Sequence, residues 1–197
     1  MNKKALLGYL DKLMDGNLSE KLSKKELDEV ASNLTNPDEL YMRITILAKS
    51  FDPRFMPLFE KYALFQDDAD VSGMALRALI DFHHKTEYLP LLSRFIEGVD
   101  WDIIGSLKLH GIHIAEQYLK DKKNMALVDL LIHEFECSED EIIRQAAHEA
   151  LMAAGGVDRS DLATEIGGRG LTDSEIRLDV IAKLKAQVKT GLVSMPH

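Results

Sequence analysis

Apolar residues recur at three- and four-residue spacing from one end of the chain to the other, and β-branched runs with strict alternation do not occur. This pattern predicts helix after helix, at 3–14, 22–34, 37–50, 53–65, 69–84, 87–98, 101–121, 124–137, 140–154, 158–166 and 173–190. Turn residues separate them. Asn36-Pro37 and Asp52-Pro53 place proline at a helix start, where its fixed φ suits the helix and its missing N–H breaks no bond. Gly98, the Gly155-Gly156 pair and GGRG at 167–170 permit helix ends. Ser138 with Glu141 three residues on spells a capping box, so a helix is expected to start there.

The helices also repeat in pairs. Aligning the first helix of each pair at Leu40, Val71, Ile104, Ile143 and Ile176 gives spacings of 31, 33, 39 and 33 residues. A face mixing small and large residues recurs in these units: Ile44 and Ala48, Ala75 and Leu79, Ala147 and Leu151, Val180 and Leu184. A two-helix unit cannot bury such a stripe alone, so several must stack. The expected fold is all-α, an α-solenoid of antiparallel helix pairs, with residues 1–35 as capping helices and 36–197 as the repeat array, packed as one domain with the cap. The 39-residue unit opens with WDIIGSLKLHGIHIAEQYLK, apolar on nearly every side and including Gly105 and Gly111. It is expected to be a central buried helix whose glycines serve close packing or a bend.

The segments DADVSGMALRALIDF and EDEIIRQAAHEALMAAGG resemble the HEAT-like repeats of bacterial proteins, in which an acidic residue precedes an apolar one and an alanine-rich first helix ends near glycine. Ser72 stands where those repeats carry arginine. The resemblance covers about residues 37–190 and implies an α-solenoid with a scaffold or recognition role. HEALMAAGG is also similar to a motif of the deoxyhypusine hydroxylases, HEAT-like enzymes that hold a di-iron centre on His-Glu pairs. That likeness implies ligands at His133-Glu134 and His148-Glu149, two pairs where the family's site uses four.

Composition narrows the function. Cys137 is the only cysteine, which excludes an internal disulfide and a four-thiolate zinc site and fits a reducing, cytoplasmic setting. The start, MNKKALLGYLDKLMDG, reads as a helix and not a signal peptide, and no run of about 18 apolar residues is present, so no membrane partner is expected. The net charge of −9 is concentrated: residues 36–168 hold 24 acids and 13 bases, a balance of −11, whereas residues 1–35 balance to zero and the tail from Arg169 is +2. Such a surface repels a phosphate backbone and attracts a basic protein. HEAT-like DNA glycosylases share the expected architecture, but Trp101 lies between Asp100 and Asp102, where a DNA groove requires arginine or lysine. Direct nucleic-acid binding is not expected.

Candidate chemistry is sparse. His110 and His113 stand three apart on one helix and His133 lies on the next, a spacing that suits one metal ion and makes a metalloenzyme the alternative reading. Cys137 sits among Glu134, Glu136 and Glu139, which disfavours a thiolate nucleophile, and no nucleophile elbow or nucleotide loop appears. No catalytic residue and no cofactor is expected. The leading expectation is a non-catalytic protein-binding module, of which an immunity or antitoxin protein is one version. Its partner-binding residues would be Asp67, Asp68, Asp70, Asp100, Trp101, Asp102, Glu136, Glu139 and Asp140, where Trp101 supplies an aromatic anchor and the acids steer a basic partner.

Overall fold

The computed structural model describes residues 3–14, 22–157 and 177–193. The expected helix 158–166, the GGRG stretch and the Ile176 repeat position lie outside the described residues. All regular structure within them is helical, with no strand. The α-helices are α1 (Lys3–Met14), α2 (Lys24–Ser32), α3 (Pro37–Lys49), α4 (Met56–Tyr62), α5 (Ala69–Arg77), α6 (Leu89–Glu97), α7 (Ser106–Asp121), α8 (Met125–Cys137), α9 (Glu141–Ala154) and α10 (Leu178–Val193). Among the described residues no helix is long and apolar enough to cross a membrane.

Local chemistry sets most boundaries. At α3 the Asn36 side chain accepts from the Asp38 N–H at 3.2 Å and Pro37 fills the first position. The helix expected at 53–65 is split, with a 3₁₀ turn at Pro53–Phe55 leading into α4. Pro57 is the cause, because it has no N–H to give the Pro53 carbonyl and so closes off the first α-type bond. Pro90 acts alike, and a 3₁₀ turn at Thr86–Tyr88 precedes α6. The helix expected at 69–84 is α5 followed by a π-turn at Ala78–Phe82, closed by the His83 N–H on the Ala78 carbonyl at 3.0 Å. Beyond it the His83 ring stacks on Phe59 at 5.9 Å, and Phe82 meets Phe51 at 5.1 Å.

The chain divides into two compact units, Met1–Leu89 and Pro90–His197. In the first, α1, α2 and α5 pack on α3, and α4 packs on α5. The predicted face is its core: Ile44, Ala48, Ala75 and Leu79 are fully buried. Ser72 is buried too, and its hydroxyl donates to the Ala63 carbonyl at 2.7 Å, tying α5 to the end of α4. Arg43 is buried in the same core. Its Nε and Nη2 donate to Glu39 Oε2 at 3.0 and 2.6 Å, and Nη1 donates to the Val30 carbonyl at 3.1 Å in the last turn of α2.

In the second unit α9 is central, with α7, α8 and α10 against it. Ala147 and Leu151 are fully buried and Leu184 nearly so. The two glycines of the expected 101–121 helix do different work. Gly111 lies within α7 where α6 crosses it, and a Cβ there would sit 3.1 Å from Ile96 Cγ1 and 3.3 Å from the Ile96 backbone nitrogen. Gly105 lies outside the helix in the left-handed region, φ 73°, so α7 starts five residues later than the apolar pattern predicts.

Candidate functional site

The segment joining α6 to α7 turns on two glycines. Gly98 ends α6 at φ 101°, its N–H donating to the Arg94 and Phe95 carbonyls at 3.1 and 3.2 Å. Two consecutive turns follow: the Asp102 N–H donates to the Val99 carbonyl at 3.0 Å, and the Gly105 N–H to the Asp102 carbonyl at 3.3 Å. Gly105 has no side chain with which to cap α7. Asp102 takes that role from upstream, its Oδ2 accepting from the N–H groups of Leu107 at 2.8 Å and Lys108 at 3.2 Å. A carboxylate there also suits the positive end of the helix dipole.

This geometry turns the residues between outward. With Asp102 held to the helix and Gly105 fixed at its start, Ile103 and Ile104 project from the turn, 92% and 83% exposed. No other large apolar side chain among the described residues is as open. The apolar pattern places Ile103 and Ile104 on a buried helix; they are surface residues of a loop. Trp101 beside them is half-buried.

Lys108 shows which helix ends meet. From the first turn of α7 its Nζ donates to Glu134 Oε1 at 3.0 Å and Oε2 at 2.9 Å, in the last turn of α8. The start of α9 follows that end of α8 directly, so it belongs to the same end of the unit. There Asp140 caps the helix, its Oδ1 accepting from Ile142 and Ile143 at 2.8 and 3.3 Å. The expected Ser138–Glu141 capping box does not form. Asp140, charged and two residues closer, takes the helix N-terminus, while the Ser138 hydroxyl accepts from the Asp140 N–H at 3.3 Å.

The acids predicted to bind a partner therefore have several roles. Asp102 and Asp140 are caps, and Glu136 pairs with Lys185 of α10. Glu139 and Asp100 are exposed and pair with no cation among the described residues, as are Glu97 and Glu141, which the sequence reading did not include. Asp67, Asp68 and Asp70 belong to the first unit, where Asp68 Oδ1 caps α5 through Asp70 and Val71 at 3.0 and 3.1 Å. The apolar part of the second unit's acidic end was missed: Ile103, Ile104 and Ile142, the last 65% exposed in the first turn of α9.

The metal candidates do not gather. Among the described residues no three His, Cys, Asp or Glu side chains approach one another as ligands would, so His110, His113 and His133 do not make a centre. His113 and His133 are exposed on α7 and α8. The His-Glu pairs are likewise used elsewhere: Glu134 holds Lys108, Glu149 accepts from the Gln145 amide at 3.3 Å, and His148 is buried with its ring 5.7 Å from Phe135. His148 Nε2 accepts from the Arg177 N–H at 3.4 Å, joining α9 to the residue before α10.

Burial lowers the His148 pKa below its ordinary 6.5, against a smaller opposing pull from Glu149. The unfolded chain therefore binds a proton near pH 6.5 that the folded chain still refuses. Stability is full above that value and is lost as pH falls from it towards the folded pKa, at up to ~1.4 kcal/mol per pH unit for one proton. His83, also lowered by burial, adds to the same trend. Denaturation midpoints measured from pH 7.5 to 5 are expected to fall, and His148→Gln, which keeps an acceptor without titrating in this range, is expected to flatten the curve.

Comparison of the chain with family models, with curated proteins and with solved structures gave no match.

Proposed function

We propose that the chain is a non-catalytic protein-binding module, an α-solenoid of HEAT-like helix pairs that holds a basic protein at the acidic end of its second unit. The observation that carries this reading is the imbalance at that end. Lys108 and Lys185 are each taken up by a glutamate, whereas Glu97, Asp100, Glu139 and Glu141 are exposed, make no ion pair among the described residues and outnumber Arg94 and Arg144, the other cations near these helix ends; the partly buried Trp101 lies in the same segment as Asp100. Unpaired charges of one sign attract an oppositely charged partner and speed its encounter. Charge-paired ones do so far less.

Trp101 is the only tryptophan, so its emission reports on this end alone. A helical peptide of lysine and glutamine serves as a basic probe. Its affinity is expected to drop several-fold between about 0.05 and 0.5 M salt, as charge attraction is screened. Neutralising Asp100→Asn, Glu139→Gln and Glu141→Gln together is expected to weaken binding well beyond the effect of Asp67→Asn, Asp121→Asn and Asp129→Asn. An equal loss from the two triple variants means that net charge alone attracts the peptide, and the reading fails.

A further inference from the structure

Resting on that reading, we propose that the acidic end of the second unit docks a basic amphipathic helix of its partner, with Ile103 and Ile104 seated in the partner's apolar stripe. A charge-only surface would not expose isoleucines. Here two adjacent ones are 92% and 83% exposed, and a third, Ile142, is 65% exposed at the same end. Their exposure is built in. Gly98 and Gly105 both adopt left-handed φ, and Asp102 spends its carboxylate on the α7 cap, so the loop is braced in this shape by backbone turns and a helix terminus. Apolar side chains held out of a braced turn are pre-ordered for burial against something else.

The surrounding charge selects the occupant. Glu97, Asp100, Glu139 and Glu141 at this end form no ion pair among the described residues and outnumber Arg94 and Arg144 beside them, so an apolar surface fringed by Lys and Arg is complementary to it. A basic amphipathic helix presents that combination, with apolar residues at i, i+3, i+4 and i+7 and cations on both flanks. An anionic lipid surface carries the same sign of charge as this end and is disfavoured. A second copy of the chain would bring its own unpaired acids against these.

Two helical peptides of equal net charge, one of lysine and leucine and one of lysine and glutamine, separate the apolar contribution from the electrostatic one, with Trp101 emission as the readout. The leucine peptide is expected to bind at least about tenfold more tightly, since burying even one isoleucine is worth that factor. Ile103→Ser with Ile104→Ser is expected to remove the difference while leaving the lysine-glutamine affinity unchanged; both side chains face solvent, so the fold tolerates the change, which circular dichroism checks. Equal binding of the two peptides overturns the docked helix and leaves the charge reading standing. Binding of neither ends both. A Trp101 blue shift on zwitterionic phosphatidylcholine vesicles without a preference between the peptides makes the loop a lipid contact, and a dimer in sedimentation that the serine variant dissolves makes it a self-interface. Either of those outcomes also overturns the proposal.

Discussion

Arg43→Met is expected to destabilise the protein by about 3–5 kcal/mol, read as a lowered denaturation midpoint in circular dichroism. Arg43 is 1% exposed, with Nε and Nη2 donating to Glu39 and Nη1 to the Val30 carbonyl. Methionine fits the volume but removes the cation from the carboxylate of Glu39, itself only 8% exposed, and the Arg43 donor from one of the last α2 carbonyls. The loss arises from stranding these groups, more than from the worth of the pair itself. Arg43→Met combined with Glu39→Leu is accordingly expected to recover most of the stability, because an apolar pair in the same place no longer strands a buried carboxylate. If the double variant is as unstable as the single one, the guanidinium's link to α2 outweighs the ion pair.

Gly111→Val is the second large effect, about 2–3 kcal/mol or more, measured by thermal melting. The hydrogen that glycine offers lies against α6: a Cβ meets Ile96 Cγ1 at 3.1 Å, Phe95 Cβ at 3.2 Å and the Ile96 nitrogen at 3.3 Å. A backbone atom cannot swing aside as the tip of a lysine would. Alanine asks its neighbours for a few tenths of an ångström and returns up to about 1 kcal/mol of helix propensity, so Gly111→Ala is expected to be close to neutral. Valine adds two methyl groups that force α6 away from α7. Because α6 leads into the Gly98 turn, the displacement is also expected to alter Trp101 emission in the folded state, a change the alanine variant does not share.

The helices and their inner faces were legible because a 3.6-residue period writes itself directly into the apolar pattern. Ile44, Ala48, Ala75, Leu79, Ala147 and Leu151 were all read as an inner face and are all fully buried. The same period misled at Ile103 and Ile104, which fit a helical stripe in spacing but precede a glycine at φ 73° and follow an aspartate that caps the helix ahead of them. Sequence position told which acids were near a helix start. It did not tell which of them would be consumed as caps, as Asp68, Asp102 and Asp140 are, and which would remain open to solvent, as Asp100 and Glu139 do, because that depends on competition for a handful of N–H groups. Nothing in the i, i+4 spacing of Glu39 and Arg43 distinguishes a buried pair from a surface one; the packing of α1, α2 and α5 around α3 puts them inside.

The π-turn at Ala78–Phe82 has a bearing on how this chain is to be compared with any other. Closing a turn over five residues places one more residue in the helix than α geometry holds, and each residue of an α-helix advances by about 100°, so every side chain past the turn is rotated by one position. Phe82 meets Phe51, and His83 meets Phe59, on that shifted phase. A homologue with a plain α-helix here would be one residue shorter between Val71 and Phe82. The gap in their alignment belongs inside the helix, and an aligner that moves it to the loop at 84–86 would pair Phe82 and His83 with the wrong residues.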